Sequence, residues 1–360
     1  MSALARLHGR KGATLPLSVI VLALMGVAVA ITYSRVSSER RVGSDQRAQF
    51  GAFAVAQSGL SRYLSAVTAK PGAGPTTFNY NDLPGGTAQV TIRMLRESTI
   101  TLLPAVYAIT SRGVNTAAKR FNSMAPAAER TVGTYALWVP APFDMNGAIT
   151  SLSGIQKNGS SGNFNGNDGC IGSGMPAIAG AAVPNGLYTG DFTPINGNPP
   201  DDPFYMGTPG TAGTAKDEVD IDWAGILAGT YFPPNYTLPS WPTAAQFLNW
   251  PVVRANGDFT LPGNGKGILI VTGNLTMSGG DQWEGLVLVG GTVTSNGNNS
   301  VLGATVSGLN VLLGVAVPQS TIANGNKNFQ YNSCNLARAL GKIGSIQRVR
   351  NGWTDTWSSY

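Results

Sequence analysis

Hydrophobic and polar positions divide this chain into three regimes. From Ala13 to Tyr33 there is no charged residue, and the run is rich in Leu, Val, Ile and Ala. About twenty helical residues rising 1.5 Å each match a hydrocarbon core of roughly 30 Å. From Arg35 to Val67 the pattern turns polar but stays helical. No proline interrupts it, and the larger apolar residues recur at Phe50, Phe53, Leu60, Leu64 and Val67, one stripe of a 3.6-residue period. Small residues between them (Ala48, Gly51, Ala52, Ala56, Gly59) permit close backbone approach. One helix running from Leu15 to Val67 is about 80 Å long and needs partners along its outer half.

Beyond Ala69 the period changes. Pro71, Gly72, Gly74 and Pro75 end the helix, and Thr87–Met94 and Tyr107–Thr110 alternate apolar with polar residues as half-buried strands do. A small β-rich region is expected over 68–140, covering the outer helix. Further on, Gly267–Met277 is followed eighteen residues later by Gly285–Ser295, and after eighteen more by Gly303–Gly308. Glycine corners, paired short apolar runs and a fixed period predict stacked rungs, a short β-solenoid (β-helix). An ordinary antiparallel sheet with similar hairpins is the alternative. Asn146–Thr150 carries the same pattern, so the repeat is expected to occupy 141–345, with an insertion near 176–250 and a polar tail over 346–360. The predicted class is therefore α+β: a long N-terminal transmembrane α-helix followed by a β-rich domain.

Charge sharpens the picture. The net charge of +6 lies wholly in the first 67 residues; the remainder carries sixteen basic and sixteen acidic residues. Positive residues beside an apolar run set membrane topology and touch anionic headgroups. No basic patch remains for nucleic acid. The two cysteines, Cys170 and Cys334, can close one disulfide in an oxidising compartment; two unpaired small residues are the alternative.

Candidate chemistry is sparse. The single histidine, His8, lies in the basic leader, so the chain beyond it has no imidazole for general-base or triad work. There is no phosphate loop or dinucleotide fingerprint. Asp258, Asp281 and Glu284 lie near the rungs as isolated acids. Asp217, Glu218, Asp220 and Asp222 form the one cluster with oxygens enough for a hard cation such as Ca²⁺, though without the spacing of an EF-hand. Asp220 and Asp222 are expected on one face of a strand, and the simpler reading is a solvated face. No enzymatic role and no cofactor are expected.

Two motifs bear on identity. Lys11-Gly12-Ala13-Thr14-Leu15 resembles the leader junction of type IV pilin-like proteins, and Ala52-Phe53-Ala54-Val55-Ala56-Gln57-Ser58-Gly59-Leu60 resembles the end of the first helix in the PilX-type minor pilin group. The resemblance covers the first sixty-odd residues. It implies a leader of residues 1–12 cut between Gly12 and Ala13, methylation of the new amine, and a pilin-like helix over 13–67. It further implies life in the inner membrane as a single-pass protein, with most of the chain periplasmic or extracellular. Its partners would be the lipid bilayer, other pilin-like subunits and inner-membrane assembly machinery. Leu17 stands where that family's repeating subunits carry a glutamate, which points to an accessory subunit of a type IV pilus or type II secretion pseudopilus. Two other readings stand: a membrane-anchored β-solenoid adhesin or polysaccharide-binding protein, and a secreted solenoid enzyme released after Ala28-Val29-Ala30.

Overall fold

The computed structural model describes residues 14–97, 104–117, 127–140, 143, 145–159, 162–191, 194–207, 219–229, 233–322 and 325–355. A single helix occupies Thr14–Ala66. Pro16 falls in its first turn, where a missing N–H costs nothing, and the next proline, Pro71, follows its end. At 53 residues the helix is about 80 Å long.

The outer part of this helix lies across an antiparallel sheet of five strands, in the order Thr76–Leu83, Gly86–Arg96, Ala105–Asn115, Ala128–Pro140 and Gly344–Asp355. Inward positions of the middle strands (Val90, Ile92, Tyr107, Ile109, Val132, Trp138) pack on Ala56, Leu60 and Tyr63 of the helix. The segment 346–360 was expected to be a polar tail. Instead, Gly344–Asp355 closes the sheet, pairing antiparallel with Ala128–Pro140. Its side chains alternate only weakly between exposed and half-buried, because an edge strand shares little of the core. That weak pattern hid it in the sequence.

The second unit is built from parallel strands. Val252–Ala255, Gly265–Val271, Gln282–Val289 and Ser300–Ser307 stack side by side, and Gly267, Gly285 and Gly303 pair in register at the eighteen-residue repeat. Each of these glycines has positive φ, and a Cβ on Gly285 would run into the Gly267 carbonyl, so the corner admits no larger residue. A second parallel sheet joins Leu275–Met277, Val293–Ser295 and Ser320–Ile322. Val253, Leu269, Val287, Leu275 and Val293 fill the space between the two sheets. The other side of the larger sheet (Ile268, Ile270, Leu286, Leu288) is covered by residues of helices Trp223–Ala228 and Ser333–Leu340.

The stack does not follow chain order. Gly147–Ser151 pairs with Ser300–Ser307, Ala179–Pro184 pairs with Gly147–Ser151, and Phe204–Met206 pairs with Ala179–Pro184, all parallel. Ile155–Lys157 and Tyr188–Gly190 extend the second sheet in the same direction. The expected insertion near 176–250 is therefore shorter: its first thirty residues are further layers of the stack. Tyr236–Thr237 pairs with Val252–Ala255 at the opposite end. The chain between Met206 and Tyr236 thus joins the two ends of a stack of eight strands, roughly 34 Å apart at about 4.8 Å per step.

Candidate assembly site

The N-terminal helix has two halves of different character. Among the described residues it alone is long and apolar enough to cross a membrane. From Pro16 to Val36 every residue is exposed, including Leu17 (65%) and Tyr33 (75%). The outer half is docked. Its buried positions are Ala48, Ala52, Val55, Ala56, Gly59, Leu60 and Tyr63. Asn115 fixes the register by donating to the Ala48 carbonyl at 3.1 Å. At Gly113 the strand touches the helix backbone itself, where any Cβ would fall on Ala52 and Ala56.

The expected stripe divides between the protein's own sheet and solvent. Leu60 is buried and Leu64 is partly buried against the sheet. Phe50 is not on that face and remains 69% exposed. Phe53 is half-buried at the margin: Trp353 meets it edge-on at 6.0 Å and the Arg130 guanidinium lies 5.8 Å from its ring centre. The packed face combines large residues (Val55, Leu60, Tyr63) with small ones (Ala48, Ala52, Ala56, Gly59), and the small ones let helix and sheet backbones approach closely. Arg130 also pairs with Asp355, tying the last strand to its neighbour. Burial, with a smaller contribution from the field of Tyr80, pushes the Tyr63 hydroxyl up to about 12, so it stays protonated against the sheet.

Gly12 and Ala13 lie outside the described residues, as do Asp217 and Glu218. Asp220 and Asp222 are exposed while Val219, Ile221 and Trp223 are buried, so the expected alternation is present. It does not belong to a strand. Asp222 caps helix Trp223–Ala228 by accepting the Gly225 N–H at 2.9 Å, which commits one of its oxygens to the fold. Asp258 is likewise occupied, accepting from the Asn274 backbone at 2.8 Å and side chain at 3.0 Å. Glu284 accepts from Gln282 at 3.2 Å. Among the described residues no three His, Cys, Asp or Glu side chains gather as metal ligands would.

Cys170 and Cys334 form the disulfide. It joins the loop after strand Asn163–Asn165 to the first turn of helix Ser333–Leu340. Sequence inspection missed Asp168 beside it. That carboxylate accepts from the N–H of Cys170 (3.0 Å), the hydroxyl of Ser173, and both the N–H (2.9 Å) and hydroxyl (2.6 Å) of Ser333. The Asn-Gly-Asn-Asp-Gly run around it signals a turn, but nothing local names a partner 165 residues away.

No family model matches the chain, and no curated protein matches it. Among solved structures it is similar to the competence-associated pilin ComZ from Thermus thermophilus at 12% identity, covering 85% of this chain and 97% of that one. The TM-score is 0.26, too low for either structure to inform the other.

Proposed function

We propose that this chain is a non-enzymatic, minor pilin-like accessory subunit of a type IV pilus or a type II secretion pseudopilus. One observation carries the reading: a single unbroken helix leaves residues 16–36 exposed and packs its positions from Ala48 to Tyr63 on the protein's own sheet. Such a helix is out of place in water. Its exposed half is accommodated by the hydrocarbon of the inner membrane before assembly and by neighbouring helices after it. The bulk of the chain then faces the periplasm or the exterior. The parallel stack is read as a short β-solenoid, displayed away from the bilayer. The leader junction at Gly12 and Ala13, and the PilX-type sequence Ala52 to Leu60, support the assignment by resemblance. Leu17 in place of an acidic residue favours a subunit present in few copies. Work of this kind is done by packing, without a catalytic group or cofactor.

The mature N-terminus tests the reading. Mass spectrometry of the protein purified from membranes is expected to find N-methylated Ala13. A start at Ile31 would show release by conventional signal peptidase and overturn the proposal, and an intact Met1 would reduce it to an ordinary anchored protein.

A further inference from the structure

The antiparallel sheet ends in two edge strands of different character. Gly344–Asp355 loses its register between Arg348 and Trp353, Asn351 there has positive φ, and Arg348 and Arg350 are exposed. Irregular backbone and charge are what keep an edge from recruiting further strands. At the other edge, Thr76–Leu83 has neither from Thr76 to Tyr80, where its register with Gly86–Arg96 is unbroken. Its one charged residue, Asp82, lies beyond that run and is held by Arg62 at 2.6 Å. Among the described residues no other strand pairs with it, so alternate N–H and C=O groups from Thr76 to Tyr80 point outward.

The strand is fixed on both faces. Away from the helix, the Thr77 and Thr91 hydroxyls share a hydrogen bond at 3.1 Å, and Asn79 accepts from Gln89 at 3.3 Å. On the helix side, the Phe78 ring lies 5.0 Å from that of Tyr63, and the Arg62 guanidinium lies 5.1 Å from the Tyr80 ring centre. Beside these rings opens a cleft of about 330 Å³, walled by Tyr63, Val67, Pro71, Thr76, Phe78 and Tyr80. Among the described residues none that lines it is charged, and Phe78 is left 40% exposed.

We propose that Thr76–Tyr80 is a docking edge for an extended segment of another protein, which adds to the sheet as a further strand. The backbone of that segment takes up the outward N–H and C=O groups. Its side chains alternate between the cleft on one face and Thr77 and Asn79 on the other. The uncharged, aromatic-lined cleft selects an apolar residue, and the polar face selects threonine or serine. A second copy of this chain does not fit. Two identical edges pair antiparallel about a dyad normal to the sheet, which reverses any helix lying across that sheet. The two N-terminal helices would then point opposite ways, which copies anchored in one bilayer do not do. That exclusion rests on the membrane-anchored reading; the free edge and the cleft do not.

The probe is the blocked peptide Lys-Thr-Val-Thr-Phe-Thr-Val-Thr-Lys, fluorescently labelled and titrated by polarisation against the full chain in detergent micelles. Saturable binding is expected. N-methylation then reads the geometry, because successive amides of an added strand point alternately at the edge and at solvent. One peptide carries methyl groups on the Val and Phe amides, a second on the central Thr amides. One of the two should lose affinity at least about tenfold, the cost of a few backbone hydrogen bonds, while the other stays within a few-fold. Both are measured on the wild-type chain, so misfolding cannot mimic the difference. In hydrogen exchange the parent peptide should protect Thr76–Tyr80 and leave Gly344–Asp355 unchanged. No saturable binding, equal sensitivity to both methylation patterns, or protection at Gly344–Asp355 instead would each overturn the proposal. So would protection of Thr76–Tyr80 on concentrating the chain alone, which would assign the edge to a second copy. Each of these outcomes leaves the assembly role to be decided separately by the mature N-terminus.

Discussion

Asp168 holds Ser333 by two hydrogen bonds, one to its N–H at 2.9 Å and one to its hydroxyl at 2.6 Å. The residues are 165 apart in sequence, and the Cys170–Cys334 disulfide sits two residues after Asp168 and one after Ser333. Their layers are stacked neighbours, since Asn163–Asn165 pairs with Asn328–Tyr331. Covalent bond and carboxylate therefore secure the same seam, where the early part of the β unit docks onto the late part.

A disulfide closing a loop with a sequence separation of 164 removes much entropy from the unfolded chain. Cys334→Ser is expected to lower stability by about 3–5 kcal/mol. Guanidinium denaturation with and without reductant checks this. The wild-type midpoint should fall on reduction, and that of the variant should not move.

Acid should loosen the same seam. Burial alone would raise the Asp168 carboxyl, but donation from Ser173, Ser333 and the Cys170 and Ser333 N–H groups outweighs it and holds the group below its ordinary value. A carboxyl depressed by folding adds stability that is fully present above its unfolded pKa, about 3.9, and is lost as pH falls through the folded value. Asp168→Asn should therefore be less stable than wild type at neutral pH, with the gap closing below about pH 4. Thermal melts across pH 2.5–7 would show it, and parallel curves would rule it out.

Local sequence reported what local physics decides. The helix was legible because an apolar, uncharged run leads into a stretch from Leu17 to Val67 that no proline interrupts. The eighteen-residue layers were legible because Gly267, Gly285 and Gly303 occupy corners that only glycine tolerates. Stacking order was not legible. Gly147–Ser151 lies on Ser300–Ser307 because of which apolar faces remain uncovered, a global property that no spacing encodes. The exposed edge strand at Gly344–Asp355 gave no period to read. Of the periodic stripe, Phe53, Leu60, Leu64 and Val67 pack on the sheet together with the small residues Ala48, Ala52, Ala56 and Gly59, and Phe50 alone falls off that face, which the spacing of apolar residues does not reveal.

That contact gives a sharp test at Gly113. A single methyl there meets helix backbone, which cannot rotate away as a side chain can. Gly113→Ala is expected to cost about 1–3 kcal/mol by overpacking, even though alanine normally suits a strand no worse than glycine. Urea denaturation should show a lower midpoint with an unchanged slope.

Removing the chain after Ile343 should unzip one side of the sheet. It deletes the partner strand of Ala128–Pro140, the Trp353 ring on Phe53 and the Asp355 carboxylate on Arg130. Hydrogen exchange should accelerate in Ala128–Pro140 while the parallel strands Gly265–Val271 and Gln282–Val289 keep their protection. Equal acceleration in both units would mean that the two unfold as one.

Phe50 and Phe53 separate the chain's own stability from its association. Phe53 packs on Trp353, so Phe53→Ala should destabilise the isolated protein by about 1–3 kcal/mol, less than a fully buried phenylalanine. Phe50 is 69% exposed and touches no core, so Phe50→Ala should change its stability by less than about 0.5 kcal/mol. An exposed phenylalanine on the helix about 25 Å beyond the end of the uncharged run at Tyr33 is costly in water and is explained by a neighbour that covers it. Under the proposed assembly role, Phe50→Ala should therefore reduce recovery of this chain in sheared filaments while leaving its amount in the membrane fraction unchanged. Equal recovery of wild type and variant would remove Phe50 from the assembly face.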